Sequence, residues 1–186
     1  MIWGVIPAKD YARGKSRLAP VLTVDQRRRL ARSLFLHVAG LTSTLVDRLA
    51  VLTDSAAVAA DAHRLGALVL PDRRHGLGAV VDDGLAALAG DRALVLMADL
   101  PQASAAELRH LLASPTPAVV GDRHGLGTNA LWTALPAGPS CFGNVDSLQR
   151  HLHAGFTRVD LPGLAWDVDE PQDLSVEEAV LEDLEG

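Results

Sequence analysis

At 186 residues, with 48% of them hydrophobic and a net charge of −6, the chain is sized for one compact domain with a substantial core. The acidic balance excludes non-specific nucleic-acid binding, which needs a basic face, and no apolar run approaches the roughly 20 residues of a membrane helix. The chain opens without a basic leader region, and the lone Cys141 supports neither an internal disulfide nor a structural zinc site. A cytoplasmic setting is expected.

Ile2 to Ile6 reads as a short buried strand that stops at Pro7. Thr23, with Gln26 three residues on, is a capping box that predicts a helix through about Val46. Leu49 to Thr53 is a second strand, and Ser55 caps a helix to Leu65. Ala67 to Leu70 is a third strand, followed by a helix near Leu77 to Leu88. Ala93 to Ala98 is the most apolar strand, and Ser104 caps a helix to Leu112. Ala118 to Val120 and Ala130 to Thr133 are further strands. A helix near Ser147 to His153, a strand near Arg158 to Leu161 and a helix from Gln172 complete the chain. No repeat or linker divides it, so residues 1–186 read as one domain.

Short apolar strands alternating with amphipathic helices predict an α/β fold with a mainly parallel sheet covered on both faces. Ligands of such sheets bind beyond the carboxyl ends of the strands. That rule gathers the loop after Ile6, Thr53-Asp54 and Asp99 on one rim.

The loop from Pro7 to Leu18 carries the densest chemistry. The chain has fifteen arginines scattered along it but only two lysines, Lys9 and Lys15, both in this loop. Gly14-Lys15-Ser16 after a strand suggests a Walker A loop, but Lys9 stands where that motif needs its first glycine. Pro20 would also disrupt the helix that should follow. The reading that remains is a loose anion clamp, with Lys9, Lys15 and Arg17 around a triphosphate and Gly14 permitting close backbone approach.

Elsewhere, Asp99 ends the most apolar strand and is followed by Leu100-Pro101. Asp167 and Asp169 alternate with Val168, so an extended backbone would point both carboxylates the same way, an arrangement suited to Mg2+. Gly125-Leu126-Gly127-Thr128-Asn129 is a glycine-rich turn entering a strand, and Ser147 opens a helix with His151 one turn on. His75-Gly76-Leu77-Gly78 is a further flexible turn at a helix start. The seven histidines show no metal-binding spacing, and no nucleophile is paired with a general base.

In this order, the motifs resemble the family of 2-phospho-L-lactate and phosphoenolpyruvate guanylyltransferases of coenzyme F420 biosynthesis. The matching pieces are Pro7-x-Lys9, Lys15-Ser16-Arg17-Leu18, Thr53-Asp54, Gly76-Leu77, Ala98-Asp99-Leu100-Pro101 and Gly127-Thr128-Asn129-Ala130-Leu131. Phe142-Gly143 with Ser147 and His151, and Asp167-x-Asp169-x-Pro171-x-Asp173-Leu174, complete the set. This chain departs from the family by carrying Gly78 where Asn is common, and by one extra residue between Gly143 and Ser147.

The resemblance implies a three-layer α/β/α sandwich with a mixed, mostly parallel sheet like that of nucleotide-diphospho-sugar transferases. It implies GMP transfer from GTP to the phosphate of a small phosphorylated carboxylic acid, phosphoenolpyruvate or 2-phospho-L-lactate, with pyrophosphate released and Mg2+ required. On the nucleotide side it implies Pro7, Lys9, Lys15, Ser16, Arg17, Asp54, Gly76 and Leu77. The acid side would be Thr128, Asn129, Ser147 and His151, and the metal ligands Asp99, Asp167 and Asp169. Lys9, Lys15, Arg17 and Asp99 would be the catalytic groups. Partners would be these substrates alone, without nucleic acid or membrane, and a homo-oligomer is compatible with the sequence. Another nucleotidyltransferase of the same fold, acting on a sugar phosphate, phosphoglycerate or the molybdenum cofactor, is an alternative. A catalytically silent nucleotide-binding module is another.

Overall fold

Alternate strand residues divide between two apolar layers, and this division sets the architecture. In the computed structural model, which describes residues 1–73 and 76–176, seven strands form one sheet. They are β1 (Ile2–Pro7), β2 (Arg48–Leu52), β3 (Leu68–Leu70), β4 (Arg92–Leu96), β5 (Ala118–Gly121), β6 (Thr128–Ala134) and β7 (Thr157–Arg158). The helices are α1 (Val24–Ser43), α2 (Ala56–Arg64), α3 (Leu77–Ala86), α4 (Ala105–Ala113), α5 (Ser147–His153) and α6 (Pro162–Ala165). Ile6, Val51, Leu94, Leu96 and Trp132 pack with Phe35 and Val38 of α1, Val58 of α2 and Leu108 of α4. Val5, Ala50, Leu52, Val95 and Leu131 pack on the other face with Val80 and Val81 of α3 and Leu148 of α5. The result is the expected sandwich of helices on both faces of a sheet. None of the described helices is long and apolar enough to cross a membrane.

The strand order is β3-β2-β1-β4-β6-β5-β7. β1 pairs in parallel with β2 and β4, and β2 with β3. β6 alone runs antiparallel, against β4 and β5, while β7 returns parallel to β5. The chain leaves β1 toward β2 on one side and takes up β4 on the other, so the order reverses between β1 and β4. A crevice opens at such a point. Because β6 is reversed, its first residues, Thr128 and Asn129, lie on the rim where β1 and β4 end; Met97 N–H donates to the Asn129 carbonyl at 2.9 Å.

The helix starts follow their local signals. Thr23 and Gln26 form the reciprocal capping box of α1, and Ser55 and Ser104 accept from the third amide of α2 and α4. Two elements differ from expectation. A register shift at Val120/Gly121 lets Gly121 pair with Thr128, so β6 starts earlier than its apolar run indicates. The strand predicted to reach Leu161 ends at Arg158, because Pro162 opens α6. Of the helix expected from Gln172, Pro171–Val176 forms a 3-10 segment and the remainder lies outside the described residues.

Candidate active site

The loop after β1 is fastened at both of its shoulders. Asp10 accepts hydrogen bonds from the Ser55 hydroxyl at 2.6 Å and from the Ala12 amide at 2.9 Å, and these hold its pKa below the usual carboxylate range. Tyr11 is buried against Phe35, with ring centroids 6.0 Å apart. Its hydroxyl donates to Asp61 at 3.1 Å, and Asp61 also accepts from Arg32 Nε at 2.7 Å. Burial and the Asp61 charge push the phenol's pKa upward, so Tyr11 is a neutral donor here.

After Gly14 the backbone turns through Lys15 in the left-handed region, at φ 56° and ψ 35°. Among the described residues, Lys15 is the one non-glycine with positive φ, a costly conformation for a residue carrying a Cβ. It opens the 3-10 turn Ser16–Leu18, and its side chain is only 8% exposed. The ammonium donates to Asp99 Oδ2 at 2.5 Å, to the Val168 carbonyl at 2.5 Å and to Asp169 Oδ1 at 3.2 Å. Burial alone would lower its pKa, but the charges of Asp99 and Asp169 outweigh that and hold it above the ordinary lysine value. Arg17, exposed, lies 3.5 Å from Asp169.

The acidic segment behaves as its alternation predicts. Val168 is buried with Leu18, Leu22, Leu30, Leu34 and Leu174, fixing this segment to the 3-10 turn and α1. Its neighbours face the opposite way: Asp169 meets Lys15, and Asp167 Oδ1 accepts from Asn129 Nδ2 at 3.3 Å. Burial, and then the negative charges of Asp99 and Asp169, raise the Asp167 pKa. Three carboxylates therefore share one region of excess negative charge. Hard oxygen donors in such a region suit a divalent cation. Among the described residues, however, no three acidic, histidine or cysteine side chains are already gathered about one point. The Lys15 ammonium stands between Asp99 and Asp169 instead.

These groups border a cleft of about 630 Å³ at the reversal of strand order. Pro7, Lys9, Lys15, Ser16, Gly76, Leu77, Asp99 and Asp169 all line it. Tyr11, Phe35, Val80 and Met97 give it apolar walls. Asp54 is exposed after β2 and does not line it. Asp72, which follows β3, does line it and carried no sequence signal of its own.

Thr128, Asn129, Ser147 and His151 form a buried group beside this cleft rather than part of its wall. The Ser147 hydroxyl donates to Thr128 Oγ1 at 3.1 Å, and His151 Nδ1 lies 3.1 Å from the same oxygen. Cys141 N–H donates to His151 Nε2 at 3.0 Å, which leaves the ring proton on Nδ1, facing Thr128. Burial lowers the His151 pKa, so the ring is neutral. Phe142 and Phe156 meet it edge-on, at 5.4 and 5.2 Å between centroids. The network thus holds β6, α5 and the Ser140–Gly143 loop together. That loop also rests on the start of α3: a Cβ on Gly78 would stand 2.7 Å from the Phe142 carbonyl oxygen. The absence of a side chain at Gly78 is what permits this close approach.

Sequence reasoning missed Arg123. It stands in the β5–β6 turn and donates from Nη1 to the Asp167 carbonyl at 3.0 Å, pairs through Nη2 with Asp173, and lies 4.4 Å from the Trp166 ring centre.

Comparison with known proteins gives the family and the fold. The family model described as "Guanylyl transferase CofC like" matches residues 2–161. A phosphoenolpyruvate guanylyltransferase of Conexibacter woesei is 35% identical over 92% of this chain and 85% of its own length. Among solved structures, a Desulfovibrio desulfuricans protein with the provisional description nucleotide-diphospho-sugar transferase superposes with a TM-score of 0.78 at 17% identity, covering 99% of this chain and 95% of its own. The glucosyl-3-phosphoglycerate synthase of Mycobacterium tuberculosis, in complex with Mn2+, UDP and glucosyl-3-phosphoglycerate, gives 0.57 at 18% identity over 87% of this chain and 70% of its own.

Proposed function

The chain belongs to the CofC-like guanylyl transferase family, and from that premise we propose that it transfers GMP from GTP to the phosphate of phosphoenolpyruvate in coenzyme F420 biosynthesis. In this reading residues 1–186 act as one nucleotidyltransferase domain in the cytoplasm. One observation carries the proposal: the cationic loop after β1 meets two carboxylates from distant segments, Asp99 and Asp169, through Lys15 beside a single cleft.

A phosphate oxygen of the acceptor attacks the α-phosphorus of GTP. A new P–O bond forms as the bond to the β-phosphate oxygen breaks, and pyrophosphate departs with that electron pair. A phosphate monoester is already anionic at neutral pH, so the step needs no general base. The protein's part is in-line positioning and charge neutralisation. Lys9, Lys15 and Arg17 offset the triphosphate, and the Gly76-Leu77 turn and the apolar wall of Val80 border the nucleoside. Asp99, Asp167 and Asp169 fit a divalent cation, Mg2+ in this proposal, which when bound supplies neutralisation of the phosphates. The Mn2+ of the glucosyl-3-phosphoglycerate synthase supports a metal in this fold. Thr128, Asn129, Ser147 and His151 shape the acceptor side.

The test is product mass spectrometry after incubation with GTP, Mg2+ and each phosphoacid in turn. A GMP adduct of phosphoenolpyruvate is expected. A preference for 2-phospho-L-lactate would reassign the acceptor, and GTP binding without turnover of any phosphoacid would overturn the enzymatic reading.

A further inference from the structure

We propose that Arg123 is a positioning residue which holds the backbone of the Asp167–Asp169 segment so that its carboxylates can receive a divalent cation. The proposal rests on the carboxylate reading given above. Arg123 is fixed at four points. Its own amide donates to the Ala165 carbonyl at 2.8 Å, and Nη1 donates to the Asp167 carbonyl at 3.0 Å. Nη2 pairs with Asp173, and the guanidinium lies over Trp166.

Asp173 extends the clamp. Its side chain is 1% exposed; Oδ1 meets Arg123, while Oδ2 accepts from the amides of Asp169 at 2.8 Å and Glu170 at 2.7 Å. One guanidinium–carboxylate pair therefore restrains the main chain at Asp167, Asp169 and Glu170, with the Trp166 ring packed against the guanidinium. It leaves the Asp167 and Asp169 carboxylates to face Asn129 and Lys15. The planar fork of arginine suits this task. It reaches a carbonyl and a carboxylate at once while stacking on a ring, and a lysine ammonium on a flexible stem cannot do all three. Such outer partners orient metal ligands, and their loss weakens metal affinity by roughly 10–100-fold.

The experiment is titration of Mn2+ alone onto wild type, Arg123→Lys and Asp173→Asn, following free Mn2+ by electron paramagnetic resonance, with thermal unfolding of each protein alongside. Both variants are expected to bind Mn2+ roughly 10–100-fold more weakly than wild type while still unfolding cooperatively. Asp173→Asn is nearly isosteric and keeps an oxygen for the two amides, so it carries the test if Arg123→Lys does not fold. A folded variant with wild-type Mn2+ affinity overturns the positioning role, whatever its melting temperature. Failure of wild type itself to bind Mn2+ overturns the carboxylate reading instead, and the positioning role with it.

Discussion

The Lys15 ammonium lies 2.5 Å from the Asp99 carboxylate, which ties the loop after β1 to the loop after β4 across the point where the strand order reverses. The same ammonium reaches Asp169, so one side chain joins three segments that are remote in sequence. Without it, the carboxylates would repel one another.

Lys15→Met should therefore destabilise the metal-free protein. Losing one partner of a fully buried pair costs roughly 3–5 kcal/mol, and partial exposure of Asp99 and Asp169 reduces this to about 1–3 kcal/mol. Added Mg2+ should then raise the variant's melting temperature more than the wild type's, since no ammonium competes for the carboxylates. Equal Mg2+ shifts in the two proteins would contradict this account.

Asp99→Ala and Asp169→Ala should each lower pyrophosphate release by more than about a hundredfold, the scale of losing a group that stabilises transition-state charge. Circular dichroism should show the fold retained, because both side chains border the cleft and neither belongs to the apolar clusters. Wild-type-like turnover in either variant would sink the metal assignment.

His151 gives the fold an acid limit. Its folded-state pKa is depressed by burial, although the Ser147 carbonyl and Asp82 act in the opposite sense. The stability it contributes is complete above its unfolded pKa of about 6.5 and is lost as pH falls from there toward the folded value. The slope cannot exceed about 1.4 kcal/mol per pH unit for one proton. Urea unfolding between pH 7.5 and 5 should show this decline in wild type and a flatter profile in His151→Gln. Parallel profiles would remove His151 as the titrating group.

Gly78→Ala should cost roughly 1–3 kcal/mol, as overpacking does, because the new Cβ meets the Phe142 carbonyl rather than a flexible side-chain end. The Ser140–Gly143 loop must then move, so the KM for the phosphoacid should rise more than the KM for GTP. A variant as stable as wild type, with both KM values unchanged, would show that the close approach is unimportant.

What could be read from the sequence was local or periodic. Thr23 with Gln26, Ser55 and Ser104 announce their helices because a cap acts over three residues. Val168 between Asp167 and Asp169 announces its two-faced segment for the same reason. The lysines of the first loop were conspicuous by their scarcity, but the partners of Lys15 were not, since Asp99 lies 84 positions away. Arg123 was one arginine among fifteen, and only folding reveals its partner 50 positions on. The reversal of β6 was also hidden from periodicity, because an apolar run carries no sign of its direction. The short 122–127 turn was the available clue, since a parallel return needs a crossover of a dozen or more residues.

That reversed strand has a further consequence for how such a chain can diversify. The 122–127 hairpin and the start of β6 reach the same rim as the loops that end β1 and β4, yet they approach it from the far half of the sheet. In the proposed arrangement, changes in this hairpin would alter which acid is accepted without shifting the register of β1, β2 and β4 beneath the nucleotide. Donor and acceptor recognition would then fall to separate halves of one small sheet, so that one could change while the other is kept.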